Sequence, residues 1–334
     1  MVNQKRIAKL AGVSVATVSR VLNGYDGVSD KTKQKVLTLL DSNAYVLNSN
    51  AQNLRMSKSK TIGLSISNFS NPFFIDIYQG LESICRHKGY SIIIGDSSEN
   101  AQREREVIEL FLSYRVAGII ASFVDPHEST LRKLENYGIN VLALDRHIEG
   151  VSADAVTMDN VGGAKQQVDY LAKMGHKRIA LIHGPLSDVV AKERYAGFFE
   201  GCKQHNLDIG TEYMFSGAFN ETEAYLATIK LLGLPQRPTA IVVHNNMMTI
   251  GAYKAIQDMN LKIPQEISLI GFEDFDIAGY LKPGLTMIER SLYLTGEAAG
   301  RLIIERIENT YTGEHRVVSF PAKLKIRDSC AQLI

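Results

Sequence analysis

The chain has 334 residues, of which 45% are apolar and 22% charged, a composition typical of globular proteins that argues against disordered, collagen-like and coiled-coil classes. No apolar run approaches the roughly 18 residues of a membrane span, and the first residues lack the apolar stretch of a signal peptide, so we expect a cytoplasmic protein without a membrane segment. Residues 1–60 carry ten basic and three acidic residues, a net +7, against a net −6 on the remainder, which predicts a nucleic-acid contact confined to one end.

The first 58 residues read as short helices without a strand-like run. Capping residues predict three helices, from Asn3 to Ala11, from Ser14 to Leu22 and from Ser29 to about Ser42. A polar linker over residues 48–60 follows. We therefore expect a separate, all-helical headpiece.

The first two helices have the spacing of a helix-turn-helix. Ala8 is small enough for a close helix approach, Gly12 permits the turn, and Ser14 caps the second helix. The residues left facing solvent predict the DNA contacts. Val15 and Ala16 suit thymine methyl groups, Thr17 and Ser19 suit phosphates, and Arg20 suits the O6 and N7 atoms of guanine; Asn23 completes the predicted set.

From Thr61 onward, short β-branched runs alternate with segments of helical period. Seven runs stand out, at residues 62–66, 90–95, 117–122, 140–145, 178–182, 239–243 and 267–272. Between them lie amphipathic segments, of which Arg103 to Tyr114 repeats its apolar residues Val107, Leu110, Phe111 and Tyr114 at helical spacing. Alternating strands and helices predict parallel sheets, and about 270 residues favour two similar lobes with a break near Asp159 to Gly163.

The string G-V-S-V-A-T-V-S-R-V-L-N-G at residues 12–24, with V-S-D-K-T at 28–32 and the linker residues Ala51 and Leu54, resembles the LacI/GalR family of bacterial transcription regulators. The resemblance runs from Asn3 to about Ser329. It implies a homodimer on a pseudo-palindromic, double-stranded DNA operator. It also implies that residues 48–55 fold as a hinge helix in the minor groove, with Ala51, Gln52 and Leu54 at the DNA and Leu54 as an intercalating wedge. Leu47 and Gln52 depart from the family's usual Pro and Arg.

The resemblance implies three regions. These are a helix-turn-helix headpiece at residues 1–47, a hinge helix and linker at 48–60, and an effector-binding and dimerisation region at 61–334. The last is expected to be an α/β body of two doubly wound parallel-sheet lobes of periplasmic-binding-protein type. The first lobe would comprise about 61–160 and 291–318, and the second about 161–290 and 319–334.

Polar and aromatic residues follow the predicted strands at their carboxyl ends, where such sheets bind ligands. A polyol ring needs aromatic faces and bidentate polar groups, and the chain supplies both in Asn71, Phe73, Phe74, Asp145, Arg146, Arg194, Phe219, Asn245, Glu273 and Arg290. These positions resemble the sugar contacts of ribose-type periplasmic binding proteins. Three depart from that pattern: Glu273 and Arg290 stand where Asp and Gln are usual, and Asn246 replaces Asp.

The departures leave the effector's charge open. Three arginines against Asp145 and Glu273 leave about one positive charge, which favours an acidic sugar or phosphosugar. Alternatively Arg290 pairs with Glu273 and the site takes a neutral sugar.

Enzyme signatures and metal-ligand spacings are missing from the sequence, so we expect no catalytic residues, no metal and no cofactor. Asp274 and Asp276 lack further ligands at matching spacing, and His176 and His183 suit structural roles. Three cysteines without a C-x-x-C pair predict buried thiols: Cys85, Cys202 and Cys330.

The sequence thus predicts a DNA-binding repressor of carbohydrate-utilisation genes, controlled by a sugar or sugar acid between the lobes. Release of repression by the ligand is the expected default, although the family also contains members that need a corepressor. A global regulator gated by a phosphoprotein and a pure sugar-binding protein are the alternatives.

Overall fold

A computed structural model of the protein describes residues 4–22, 25–42, 59–124, 128–146 and 153–333. The chain forms two compact units, Met1–Lys58 and Ser59–Ile334. The described part of the first unit is helical, and the second contains both β-sheets.

The first unit contains three short helices: α1 (Gln4–Ala11), α2 (Val15–Leu22) and α3 (Asp30–Ser42). They pack around a small core whose fully buried members are Ile7, Val18 and Val36. Gly12, between α1 and α2, has a φ of +68°, which glycine adopts without steric cost. The backbone N–H of Thr17 donates to Ser14 Oγ at 3.0 Å and so caps α2. The predicted helix-turn-helix headpiece is confirmed.

The second unit alternates strands and helices. The strands are β1 (Thr61–Ile66), β2 (Ser91–Asp96), β3 (Gly118–Ala121), β4 (Asn140–Leu144), β5 (Asp154–Met158), β6 (Ile179–His183), β7 (Met214–Ser216), β8 (Ala240–Val243), β9 (Ser268–Phe272), β10 (Thr286–Glu289), β11 (Val317–Phe320) and β12 (Lys323–Lys325). The helices are α4 (Phe73–His87), α5 (Ala101–Ser113), α6 (Glu128–Asn136), α7 (Asn160–Lys173), α8 (Val189–Gln204), α9 (Glu221–Leu232), α10 (Asn246–Asp258) and α11 (Leu292–Ile307).

The strands form two six-stranded sheets. Lobe 1 is built on the order β11-β5-β4-β3-β1-β2, and lobe 2 on β12-β10-β9-β8-β6-β7. The paired strands run parallel, except that β12 is antiparallel to β10. Central strands are buried on both faces, as helices on either side of a parallel sheet require. The predicted pair of doubly wound lobes is confirmed.

The chain passes between the lobes three times. It enters lobe 2 after β5, returns to lobe 1 between β10 and α11, and crosses again between β11 and β12. Strand β11 continues to Phe320, so it extends past the expected boundary at residue 318. The loops that follow the strands of both lobes can therefore meet across one cleft.

Helix α11 packs closely against α4 through two glycines. A Cβ atom on Gly80 would lie 2.0 Å from the Tyr293 carbonyl oxygen, and one on Gly296 would lie 1.9 Å from the Ile77 carbonyl oxygen. Both distances are far below van der Waals contact, so the two helix backbones approach as closely as they do only because neither residue has a side chain.

Helix α5 buries part of the predicted stripe. Phe111 is buried and Val107 packs against the same core, whereas Leu110 and Tyr114 are exposed and Ile108 is buried. Glu104 is also buried, and its carboxylate accepts the backbone N–H of Val124. An apolar pattern cannot predict this polar contact with the loop after β3.

No helix in the described ranges is both long and apolar enough to cross a membrane.

Candidate functional site

The second helix of the headpiece presents the residues predicted to contact DNA. Val18 and Val21 are buried in the core, while Val15, Ala16 and Arg20 are exposed. Thr17 and Ser19 are half-buried on the same helix. The structure thus exposes the predicted reading face of α2, and contact with bases stays a prediction. Four further predicted DNA-contacting residues lie outside the described residues: Asn23, Ala51, Gln52 and Leu54.

A cavity lies at the carboxyl ends of strands from both lobes, the place where parallel sheets of this kind bind ligands. Nine of the ten predicted effector residues line it: Asn71, Phe73, Phe74, Asp145, Arg146, Arg194, Phe219, Asn245 and Glu273. The tenth, Arg290, lies behind the lining and bonds two of these residues. The lining also includes residues that the sequence reasoning missed: Ser67, Asn68, Glu99 and Val190.

The backbone turns sharply where several of these residues enter the cavity. Asp145, Phe219 and Glu273 have φ values of 66°, 56° and 68°, and Glu99 has 53°. Residues other than glycine and asparagine rarely adopt this left-handed backbone conformation, and such strained residues are frequent at binding sites. The rest of the fold therefore holds these four residues in an unfavourable conformation at the cavity.

Arg290 joins the carboxylates of the two lobes. Its guanidinium donates to Glu273 Oε1 at 2.8 Å and also pairs with Asp145 Oδ1. Burial raises the pKa of Asp145, but the charges of Arg290, Arg194 and Arg146 outweigh burial and hold that pKa below its ordinary value of 3.8. Asp145 is therefore ionised at neutral pH. The structure also contains the ion pair between Arg290 and Glu273, which was the alternative to an arginine left free for an acidic ligand.

Arg194 is fixed beneath the cavity. It donates to Asn160 Oδ1 at 3.0 Å, to Glu273 Oε1 at 2.6 Å and to the carbonyl oxygen of His244. Its guanidinium also stacks 4.0 Å from the centre of the Phe272 ring. Every nitrogen of this buried side chain is thus engaged by protein groups.

Arg146 is held by two carboxylates that the sequence count left out. It pairs with Glu99 at 2.8 Å and with Asp188 at 2.8 Å. Four carboxylates therefore surround three arginines, and the predicted surplus of one positive charge is wrong. The error arose because Glu99 follows β2 and Asp188 caps α8, so both looked like ordinary loop residues.

Several polar atoms of the lining carry no hydrogen bond to any described residue. They include the second carboxylate oxygens, Oδ2 of Asp145 and Oε2 of Glu273, the amide nitrogens Nδ2 of Asn68, Asn71 and Asn245, and the hydroxyl of Ser67. Both acceptors and donors therefore remain for a ligand. Hydroxyl groups both donate and accept, so this set matches a polyol.

Aromatic side chains form the apolar part of the lining. The rings of Phe73 and Phe74 meet edge to face at 4.9 Å. Arg290 lies 4.8 Å from the centre of the Phe73 ring, which fixes that ring beside the ion pairs. Phe219 adds a half-buried ring from lobe 2.

Other candidate residues have structural partners. Asp274 pairs with Arg327 at 2.8 Å and Lys325 at 3.0 Å, and within the described ranges no group of three metal-ligating side chains occurs. His176 bonds Thr239 at 2.9 Å. The three cysteines are free and buried, as predicted: Cys85, Cys202 and Cys330. Burial raises the pKa of each thiol to about 12.

Comparison with known proteins covers both units. Residues 5–48 match the bacterial regulatory proteins of the lacI family, and residues 168–330 match the periplasmic binding protein-like domain. The HTH-type transcriptional repressor PurR of Vibrio vulnificus (strain CMCP6) is 30% identical over 336 residues, with all of both chains covered.

Two solved structures show the same fold. The Lac repressor dimer bound to operator and the anti-inducer ONPF is 25% identical, with a TM-score of 0.85 over 99% of each chain. The transcription regulator CcpA of Lactococcus lactis is 25% identical, with a TM-score of 0.75 over 82% of this chain and 100% of that one.

Proposed function

This chain belongs to the LacI family of bacterial regulatory proteins, and we propose that an uncharged, hydroxyl-rich small molecule in its interlobe cavity controls its affinity for an operator. The family consists of DNA-binding transcription regulators and not of enzymes. The protein is a transcriptional repressor, and its proposed place of action is the bacterial cytoplasm.

The proposed DNA contact is made by a homodimer. The Lac repressor, similar over 99% of the chain, was solved as a dimer on its operator. Two copies of the exposed face of α2 would read the half-sites of a pseudo-palindrome. The hinge helix at residues 48–55, with Leu54 as a wedge, belongs to the same proposal.

The effector class rests on one observation, the set of polar atoms left open in the cavity. The three arginines are engaged by protein carboxylates and carbonyls, whereas carboxylate oxygens of Asp145 and Glu273 and amide nitrogens of asparagines in the lining remain available. An acid would bring a further negative charge to a network that already has four carboxylates for three arginines. A neutral sugar or related polyol fits better, and control of carbohydrate genes follows from it.

A purine-related effector is the second candidate. The relative from Vibrio vulnificus is named PurR and covers the whole chain, and planar heterocycles also suit a lining of phenylalanine rings and amides. A pure sugar-binding protein is disfavoured because the headpiece matches a DNA-binding family. Gating by a phosphoprotein stays an alternative without a supporting contact in the described structure.

Isothermal titration of the full chain separates these effectors. Neutral monosaccharides, the matching aldonic acids and purine bases are titrated in parallel. We expect binding by a neutral sugar, at least about tenfold tighter than by its acid; binding by purine bases alone would replace the sugar proposal with the purine one.

A matched pair of variants ties any binding to the cavity. Asn245→Asp keeps the cap that Oδ1 gives to α10 but removes the free amide nitrogen, so the affinity for the sugar should fall about tenfold. Asn220→Asp makes the same substitution at the exposed cap of α9, where Oδ1 likewise accepts a backbone N–H but the side chain lies outside the cavity lining, and should leave binding unchanged. Equal effects of the two variants would contradict the assignment of this cavity.

A further inference from the structure

Each of the three guanidinium nitrogens of Arg146 is engaged by a protein group. Its Nε pairs with Asp188 Oδ2 at 2.8 Å, and its Nη2 donates to both carboxylate oxygens of Glu99 at 2.8 and 2.9 Å. Its Nη1 donates to the carbonyl oxygen of Phe123 at 3.3 Å. The Arg146 side chain is 7% exposed and that of Asp188 is 10% exposed, whereas that of Glu99 is 37% exposed, so the pair with Asp188 is the better shielded of the two.

These contacts cross the cleft. Arg146 follows β4 and Glu99 follows β2, both in lobe 1, whereas Asp188 begins α8 of lobe 2. Asp188 uses its other carboxylate oxygen to cap α8, since Oδ1 accepts the backbone N–H of Ala191 at 3.0 Å. The ion pair therefore joins the first turn of a lobe 2 helix to the end of a lobe 1 strand.

We propose that Glu99 and Asp188 determine effector specificity by engaging Arg146 as a tie between the lobes, which excludes carboxylate and phosphate ligands from the cavity. The proposal rests on the proposed effector-binding role of the cavity and adds that the cavity selects its ligand by charge. It also changes the role of Arg146, which the family resemblance placed among the sugar contacts.

The selection has a simple electrostatic cause. An anionic ligand at Arg146 meets two carboxylates that already pair with this arginine, and displacing Asp188, whose side chain is 10% exposed, leaves that carboxylate in a largely buried site without its partner. An uncharged ligand leaves the tie intact and uses the open atoms of Asp145, Glu273, Asn71 and Asn245. Other contacts across the cleft, such as Asn246 with Asn71 at 2.7 Å, do not depend on this charge pair.

Substitution of Asp188 by asparagine isolates the tie from the helix cap. Asparagine is an N-cap residue as favourable as aspartate, so Asp188→Asn keeps α8 capped while removing the charge that holds Arg146. Asp169→Asn is the matched control, because Asp169 pairs with His205 at 2.9 Å within lobe 2.

The first test measures the distance between the lobes without any effector or DNA. Spin labels are placed on cysteines introduced at exposed Gln102 in α5 and Lys192 in α8, and pulsed electron resonance gives the distance distribution. The native thiols are buried and carry raised pKa values, so they should not be labelled. We expect a longer and broader distance distribution in Asp188→Asn and none of this change in Asp169→Asn.

The second test uses inorganic phosphate as the probe. In the double variant Glu99→Gln/Asp188→Asn, Arg146 loses both carboxylates, and calorimetry should show phosphate affinity at least about tenfold above that of the unsubstituted protein. Adding Arg146→Met to the double variant should remove the gain, which shows that the phosphate binds at this arginine and not at the basic headpiece.

Two results overturn the proposal. One is an unchanged interlobe distance in Asp188→Asn, and the other is phosphate affinity that the double variant does not raise. Neither test needs an operator or an effector, so their failure is distinct from a failure of the protein to bind DNA or a sugar.

Discussion

Replacing Arg290 by glutamine tests the buried ion network most severely. Arg290 has a side chain 1% exposed and bonds one carboxylate from each lobe, Asp145 and Glu273. Glu273 keeps Arg194 as a partner at 2.6 Å after the substitution. Asp145 loses its only directly bonded guanidinium, because the described structure gives it no other ion pair.

The expected cost is about 3 kcal/mol of unfolding free energy. Breaking a buried pair by removing one partner costs about 3–5 kcal/mol, and glutamine retains one hydrogen bond, which favours the lower end. At about 2 °C per kcal/mol for a unit of this size, the melting temperature should fall by about 6 °C. Arg301→Gln removes an exposed pair with Glu297 on one helix and should cost less than about 0.5 kcal/mol.

The substitution also changes the dependence of stability on pH. The pKa of Asp145 is lower in the folded protein than its ordinary value of 3.8, despite the opposing effect of burial. Such a group stabilises the fold above its unfolded pKa, and that contribution is lost as the pH falls through the folded pKa. Removing Arg290 raises the folded pKa of Asp145, so acid unfolding should begin at a higher pH.

Urea denaturation at pH 7 and at successively lower pH values measures both effects. The reasoning would be refuted if Arg290→Gln cost no more than Arg301→Gln at pH 7. It would equally fail if the two variants showed the same acid-unfolding profile.

Three further predictions concern the headpiece, the hinge and the core. Arg20→Ala should weaken operator binding by about 1–3 kcal/mol and leave binding to random DNA largely unchanged, because it removes a base contact; equal losses in anisotropy titrations on both DNAs would argue against that role. Leu54→Ala should lower operator affinity and DNA bending together, and unchanged bending in gel phasing would remove Leu54 as the wedge. Gly80→Ala should destabilise by about 2–3 kcal/mol in urea because its Cβ would meet the Tyr293 carbonyl oxygen at 2.0 Å, whereas Gly233→Ala, with no atom nearer than 3.4 Å, should cost less than about 1 kcal/mol.

The sequence predicted the fold well because its signals are local. Each of the seven β-branched runs became a strand of a parallel sheet. The central strands are buried on both faces, whereas β2, at the edge of its sheet, is only partly buried. Strands β7 and β12 have three residues each, too few to show a period. On α5 the predicted stripe was right at Phe111 and wrong at Leu110 and Tyr114, which are exposed. The burial of Glu104, whose carboxylate bonds Val124 20 residues away in the chain, gives no apolar signal in the sequence.

The cavity lining was predicted from position rather than from pairing. Residues that follow strands meet at one edge of each sheet, so nine of the ten effector candidates line the cavity. The pairing of each carboxylate with an arginine, by contrast, depends on distances across the cleft. Glu99 and Asp188 could not be assigned to Arg146 from the sequence because one follows a different strand and the other belongs to the other lobe.

The most direct measurement of the central claim follows operator affinity and effector affinity in the same protein. An operator is selected from random DNA with the full chain, and its affinity is measured by fluorescence anisotropy with and without the neutral ligand found by calorimetry. The account predicts a pseudo-palindromic site whose affinity the ligand changes by about 5–150-fold, with the operator changing ligand affinity by the same factor. A ligand that binds in the cavity but leaves operator affinity unchanged would contradict it.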